Sequence, residues 1–293
     1  MSNNGRTGNK QLVEIPVERW YRALTDRHSW RGYQKRPVEV DKLAGLRETC
    51  LSLSGPGARA EISTENLENI FRGIVGSYGA VTGATAYAAF IGNMDDPNVQ
   101  ENLGYMGEGI ILEAVALGLS TCWVGGFFRP EAVTANISLA GNETVIAVTP
   151  LGYRTATPSL NDRMLKSMAK SRKRKPLTEL CSGLPETEWQ PWISEALEAA
   201  RIAPSAVNRQ PWRFEVATNA ITVSAVVKKS SSRISERLDC GIAMLHLELG
   251  AKHAGVEGSW EYLTAPEVAR FTLSGSMAPV SYTHLTLPTI LRV

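Results

Sequence analysis

Apolar positions first fall at helical spacing between Val17 and Leu24, where Trp20, Tyr21 and Leu24 recur as one face of a helix requires. Residues 1–15 before them read as a flexible tail. Asp41 stands where it could cap a second helix through Leu43, Leu46 and Leu51, which the Ser54-Gly55-Pro56-Gly57 cluster must end. The run Val81 to Ile91, rich in alanine, threonine and aromatic residues, predicts a buried strand. From about Gly104 to Leu117 apolar residues occupy nearly every face, the pattern of a helix at the centre of a protein, and Gly118 supplies its stop. Val145 to Leu151 predicts an apolar strand ending at Gly152. The basic stretch Lys170 to Lys175 has no apolar periodicity and reads as a loop or linker.

From near Pro176 the order helix, turn, strand, long apolar helix returns, which is the mark of an internal repeat. Setting Trp123 on Trp260 places Gly118 on Gly255 and Gly104 on Gly241, with an apolar helix between the glycines each time. The helix ending at Ser54-Gly55-Pro56 likewise has a counterpart in Trp192 to Ala203, ending at Pro204-Ser205. The expected organisation is a tail over 1–15, a first half over 16–176 and a second half over 177–279. The last fourteen residues, VSYTHLTLPTILRV, fit neither half and resemble a translated sequencing adaptor. Residues 280–293 are therefore expected to be non-native and to replace a short piece of the natural C-terminus.

With 43% hydrophobic residues in 293, the chain can bury a sizeable core. Thirty-one Lys and Arg against 29 Asp and Glu give a formal charge of +2, far from what a protein neutralising many nucleic-acid phosphates carries. No apolar run approaches the ~20 residues a membrane span needs, and no secretory signal opens the chain, so a soluble cytoplasmic protein is expected. Cys50, Cys122, Cys181 and Cys240 are too far apart for a CxxC metal or redox motif and read as small buried hydrophobes; no metal is expected.

Four segments carry candidate chemistry. Arg27-His28-Ser29-Trp30-Arg31 offers two guanidiniums and a hydroxyl to a phosphate or ribityl chain, although read alone a solvated charged loop is the plainer meaning. In Ala203-Pro204-Ser205-Ala206-Val207-Asn208-Arg209-Gln210-Pro211-Trp212 two prolines fix the backbone while Ser205, Asn208 and Gln210 offer donors and acceptors at a helix-to-strand turn. In Trp123-Val124-Gly125-Gly126-Phe127 paired glycines would let backbone N–H groups approach a flat ligand, or form an ordinary loop. Arg172-Lys173-Arg174-Lys175 suits a phosphate and equally a solvated linker.

Taken together, over about residues 19–265, these segments resemble the nitroreductase family of flavoproteins. Arg27, Ser29 and Arg31 match its FMN-binding Arg-x-Ser-x-Arg stretch, with His28 in the variable position. Ala203 to Trp212 matches its Ala-Pro-Ser-x-x-Asn-x-Gln-Pro-Trp segment, which puts Pro204, Ser205, Ala206, Asn208 and Gln210 in the site. Trp123, Val124, Gly125 and Gly126 resemble the loop facing flavin N5, and Leu151-Gly152-Tyr153 with Arg172 and Arg174 resembles the closing strand and phosphate contact. The resemblance implies an α+β fold of mainly antiparallel sheets on long central helices. It also implies FMN as cofactor, NAD(P)H as hydride donor, and a nitroaromatic, quinone or similar small molecule as acceptor. No amino-acid nucleophile is expected; Arg31 is the candidate cation near flavin N1 and C2=O.

One departure changes the expectation. The first half has lost the Pro-Ser pattern at Ser54 to Glu61, and the second half has no Arg-x-Ser-x-Arg and carries Glu261-Tyr262-Leu263 in place of Gly125-Gly126. The motifs are divided, so the two degenerate halves complement one another into one complete site, as in the tandem single-chain branch of the family. A monomeric pseudo-dimer with one FMN is expected, with a homodimer as the other arrangement. Other flavin chemistry, such as dehalogenation or flavin breakdown, and non-catalytic FMN binding are the rival functions.

Overall fold

The computed structural model describes residues 14–55, 57–71, 81–156, 173–226 and 234–274. Pro56, Arg172 and residues 280–293, singled out above, lie outside them. The first half runs α1 (Val17–Asp26), α2 (Val40–Leu53), β1 (Ala58–Ser63), α3 (Leu67–Phe71), β2 (Ala86–Asn93), α4 (Val99–Ala116), α5 (Pro130–Thr134) and β3 (Glu143–Leu151). The second runs α6 (Leu177–Leu180), β4 (Cys181–Gly183), α7 (Pro191–Arg201), β5 (Trp212–Val216), β6 (Ala220–Ala225), α8 (Glu236–His253), β7 (Gly258–Tyr262) and β8 (Glu267–Leu273), with short 3-10 turns at Glu186–Glu188 and Ala206–Asn208.

Two sheets flank the central helices α4 and α8. The first has the order β1-β2-β3 and is antiparallel throughout; the second has the order β4-β5-β6-β8-β7, parallel between β4 and β5 and antiparallel elsewhere. This is the α+β architecture the sequence predicts. Strand β2 is buried on both faces, which explains its continuous apolar run with small alanines where α4 lies on one side and α3 and α5 on the other. It begins five residues later than expected, because Val81 to Thr85 are given instead to a bridge between Thr82 and Gly32. Asp41 does not cap α2: Glu39 occupies the N-cap and Asp41 sits in the first turn. Cys50, Cys122 and Cys240 are buried and Cys181 half-buried, all as free thiols. Among the described residues no helix is long and apolar enough to cross a membrane.

α4 and α8 each span eighteen residues, begin and end 137 positions apart, and are followed at that spacing by Gly118 and Gly255, both at φ +80°. Their crossing is reciprocal. A Cβ on Gly104 would fall on the Leu238 carbonyl oxygen, and a Cβ on Gly241 would fall on that of Glu101, 137 positions before Leu238. Only glycine lets the two backbones meet this closely. Glu101, fully buried, is bound by Arg237 at 2.6 and 3.0 Å across the same crossing. Trp123 and Ile146 pack against the cores of both halves, so the interior is continuous between them.

Candidate functional site

α1 ends at Asp26, and Arg27 leaves it in an extended conformation with its N–H still bonded to the Ala23 carbonyl. The chain is then pinned between two neighbours. Ser29 bridges Thr121, the Trp30 N–H donates to the Thr121 carbonyl at 2.9 Å, and the Thr82 N–H donates to the Arg31 carbonyl at 2.9 Å. His28 and Ser29 face outward, Arg31 is half-buried, and the Arg27 side chain turns inward to 7% exposure.

Inside, Arg27 meets a buried hub. Its Nε lies 3.4 Å from Glu108 Oε1 and, among the described residues, has no hydrogen-bond partner. Glu108 stands near the middle of α4 with 0% exposure; its Oε2 accepts from the Trp123 indole at 2.7 Å and its Oε1 lies 3.0 Å from His246 Nε2. His246, on α8 and also fully buried, has its Nδ1 3.0 Å from the Ala199 carbonyl of α7. The hub therefore ties the Arg27 loop and the Trp123 loop to both long helices of the second half.

The Ala203 to Trp212 segment carries a cluster of left-handed backbone: Val207, Asn208 and Gln210 have φ of 49°, 55° and 48°. For a β-branched valine this is a strained region, and such strain persists only where the surroundings fix it. Hydrogen bonds from within the turn and from α8 fix it. The Ser205 hydroxyl accepts from the Gln210 N–H at 2.9 Å, and Asp239 of α8 accepts from the Ala206 N–H at 3.0 Å and from Arg209 Nε at 2.7 Å. Arg209 also reaches Glu236 and the Ile234 carbonyl. Burial pushes Asp239 up to about 6, against the pull of Arg209 and the Ala206 N–H.

The basic run is not a solvated linker where it is described. Gln210, buried, accepts from the Lys175 N–H at 2.8 Å, and Asn208 Nδ2 donates to the Lys173 carbonyl at 3.0 Å. Arg174 donates to Asn208 Oδ1 at 3.0 Å and to the Ile202 carbonyl at 3.2 Å. Burial, then the neighbouring positive charges of Arg27 and Arg201, lower Arg174 to about 10.

Three of the four predicted segments thus converge. Arg174 lies on Asn208, and Arg27 is near enough for its positive charge to act on Arg174, while the Glu108 carboxylate near Arg27 is shared with Trp123 and His246. Like charges held together in a half-buried setting favour an anion between them, and a phosphate group suits the planar donors. The fourth segment reaches the same neighbourhood through Gly125, where a Cβ would collide with Ile234, whose carbonyl Arg209 holds. Among the described residues a Cβ on Gly126 would meet nothing within 4 Å, so as far as these go space lies open over it.

Two predicted residues have other employment. Val124 exchanges both backbone hydrogen bonds with Val148 and buries its side chain in the core, and Trp123 packs on Phe90 with its indole N–H given to Glu108. Pro204, Ser205 and Ala206 are half-buried along the strained turn. Sequence reasoning missed Glu108 and His246. The signal was a charged residue inside a helix read as apolar on nearly every face, and an imidazole in the equally apolar Met244-Leu245-His246-Leu247. A cavity of about 520 Å³ is lined by Gln34, Gly118, Ser120, Tyr153, Arg154 and Ala156, none of them a predicted site residue.

A family model described as "Putative TM nitroreductase" matches residues 19–251. Among solved structures, "a putative nitroreductase" from Thermotoga maritima is 19% identical with a TM-score of 0.58, covering 93% of this chain and 99% of that one. A nitroreductase family protein from Clostridium difficile is 23% identical over 54% of this chain and 94% of its own, at a TM-score of 0.39. A nitroreductase with bound FMN from Bacteroides fragilis is 16% identical over 50% and 92%, at 0.41. No curated protein sequence matches the chain. The Thermotoga likeness, along nearly the whole of both chains, is one of fold.

Proposed function

The chain belongs to that nitroreductase family, and from this premise we propose that it is an FMN-dependent oxidoreductase with one flavin site assembled from both of its halves. The observation that carries the reading is Arg174 bound to Asn208 with the positive charge of Arg27 acting on it, within one chain. Arg27 and Arg174 would grip a terminal phosphate by charge-assisted hydrogen bonds, with Ser29, His28 and Arg172 as further polar contacts. Arg31 would lie as the cation near flavin N1 and C2=O. Pro204, Ser205, Ala206 and Gln210 would shape the wall from the second half, their turn held stiff by Asp239 and by the Lys173–Lys175 backbone. The open space over Gly126 would admit a flat ring to the main chain. Bound there, FMN would supply hydride transfer from NAD(P)H to a nitroaromatic, quinone or similar small acceptor.

The reciprocal crossing of α4 and α8 supports the rest of the reading, a fused pseudo-dimer with halves at 16–176 and 177–279. Fusion makes the encounter of the halves intramolecular, so a monomer should suffice. One experiment addresses all of this: the purified protein is expected to absorb between about 350 and 500 nm, release FMN and not FAD on denaturation, sediment as a monomer with one flavin, and bleach anaerobically with NADH or NADPH. A colourless protein that takes up no added FMN would sink the proposal. Uptake without bleaching by either nucleotide would point to a non-catalytic flavin carrier.

A further inference from the structure

We propose that His246 and Glu108 are positioning residues: together they form a neutral pair, sharing one extra proton beneath Arg27, and so leave the Arg27 charge available to an anion. This rests on the flavin reading above. His246 Nδ1 faces the Ala199 carbonyl and Nε2 faces Glu108 Oε1, each at 3.0 Å, and both side chains have 0% exposure. A carbonyl and a carboxylate only accept, and a neutral imidazole has a single N–H to give. Both contacts become hydrogen bonds only if the pair holds one proton more than a neutral imidazole beside a carboxylate. The remaining Glu108 oxygen is already taken by Trp123 at 2.7 Å. Wherever the proton lies between Nε2 and Oε1, the pair carries no net charge.

The consequence falls on Arg27, whose Nε is 3.4 Å from the same Oε1. A bare carboxylate there would cancel the guanidinium and draw it inward. A neutral pair leaves the Arg27 charge to an anion, and a phosphate oxygen suits its planar donors. The position 137 residues before His246 is Gly109, packed against Trp20 and Leu53, so only one end of the molecule is furnished this way.

The test compares FMN with riboflavin, which lacks the phosphate, by equilibrium titration of the full chain. His246→Gln removes the extra proton, leaves Glu108 as a bare carboxylate, and is expected to weaken FMN by about tenfold with a smaller change for riboflavin. Adding Glu108→Gln to that variant makes the pair neutral again and is expected to recover most of the loss. A merely structural role predicts the reverse, a double variant as weak as the single one or weaker. Equal losses for FMN and riboflavin, or no recovery, would overturn the inference. If the single variant does not fold, the double variant decides alone: affinity near that of the wild type supports it, and a tenfold loss overturns it. If the wild type itself binds FMN no more tightly than riboflavin, the phosphate assignment of Arg27 and Arg174 fails instead.

Discussion

The Trp123 end and the Trp260 end of the molecule share a scaffold and differ in furnishing. Both tryptophans follow a long central helix and donate their indole N–H to a buried carboxylate, Glu108 at 2.7 Å and Glu248 at 2.8 Å. At the first end the carboxylate's other partners are His246 and Arg27; at the second end they are the Tyr105 phenol at 2.8 Å and, more distantly, Lys252. After Trp123 the chain makes one bridge, Val124 to Val148, and then opens into Gly125 and Gly126. After Trp260 it stays in β7, paired to β8 along Gly258 to Tyr262. The turns differ in the same sense: four residues separate α2 from β1, whereas 202–211 pass from α7 to β5 through the strained Val207, Asn208 and Gln210. A long helix with a glycine stop is common to the two ends; Arg27 and the left-handed Val207, Asn208 and Gln210 stand at one of them. That is where chemistry would be sought without any knowledge of relatives.

The hardest blow to the shared framework is a methyl group at its crossing. Gly104→Ala and Gly241→Ala should each destabilise the fold by about 3 kcal/mol, because each added Cβ meets a main-chain carbonyl and not a side chain that can move. Urea unfolding of both variants is the check. Two similar losses support the reciprocity of the crossing, and a large loss at one position with none at the other breaks it.

A smaller effect separates the ends by function. Arg27→Ala should weaken FMN binding by roughly 1.5 to 3 kcal/mol, the scale of hydrogen bonds to a charged group. Glu248→Gln, at the other end, should cost folding stability and leave FMN affinity unchanged. Fluorescence titration of both with FMN reads the difference, and a loss of binding in the Glu248 variant would mean that the closed end also takes part.

The smallest effect lies in pH. Asp239, which holds the strained turn, has a raised folded value of about 6, whereas the position 137 residues earlier is Asn102, which does not titrate. A carboxyl raised by folding contributes stability while protonated. That contribution is present below its unfolded value near 4 and lost as the pH rises through about 6. Between pH 5 and 7 the wild type should therefore lose about 1 kcal/mol more than Asp239→Asn. Parallel stability profiles for the two proteins would remove Asp239 from this account.

Much of the framework was legible in periodicity. The central helix α4 could be read from its apolar faces and Gly118 stop, and the glycine spacing that aligns it with α8 reappears as the crossing itself. The helix start was misplaced by five residues because Val99 to Leu103 carries Gln100, Glu101 and Asn102, which look like a loop until Glu101 is seen buried against Arg237. The candidate site was legible where local backbone chemistry left a mark, as in the Pro204 to Pro211 turn. Where side chains from distant positions meet, it was not. Nothing near Glu108 in sequence announces His246, 138 residues away, and nothing in Arg174 announces that Asn208 will anchor it.

The close crossing of α4 and α8 also bears on how this protein tolerates change. In a symmetric assembly of two identical chains every substitution at the junction is made twice, once on each side, and its cost is doubled. Here the two sides have separate codons. His246 can sit on one helix while Gly109 sits at the matching place on the other, and Asp239 can answer Asn102. Each can be replaced without its counterpart, so an engineer could recast the Trp260 end for a new ligand while the Trp123 end stays as it is, provided that Gly104 and Gly241 are left alone.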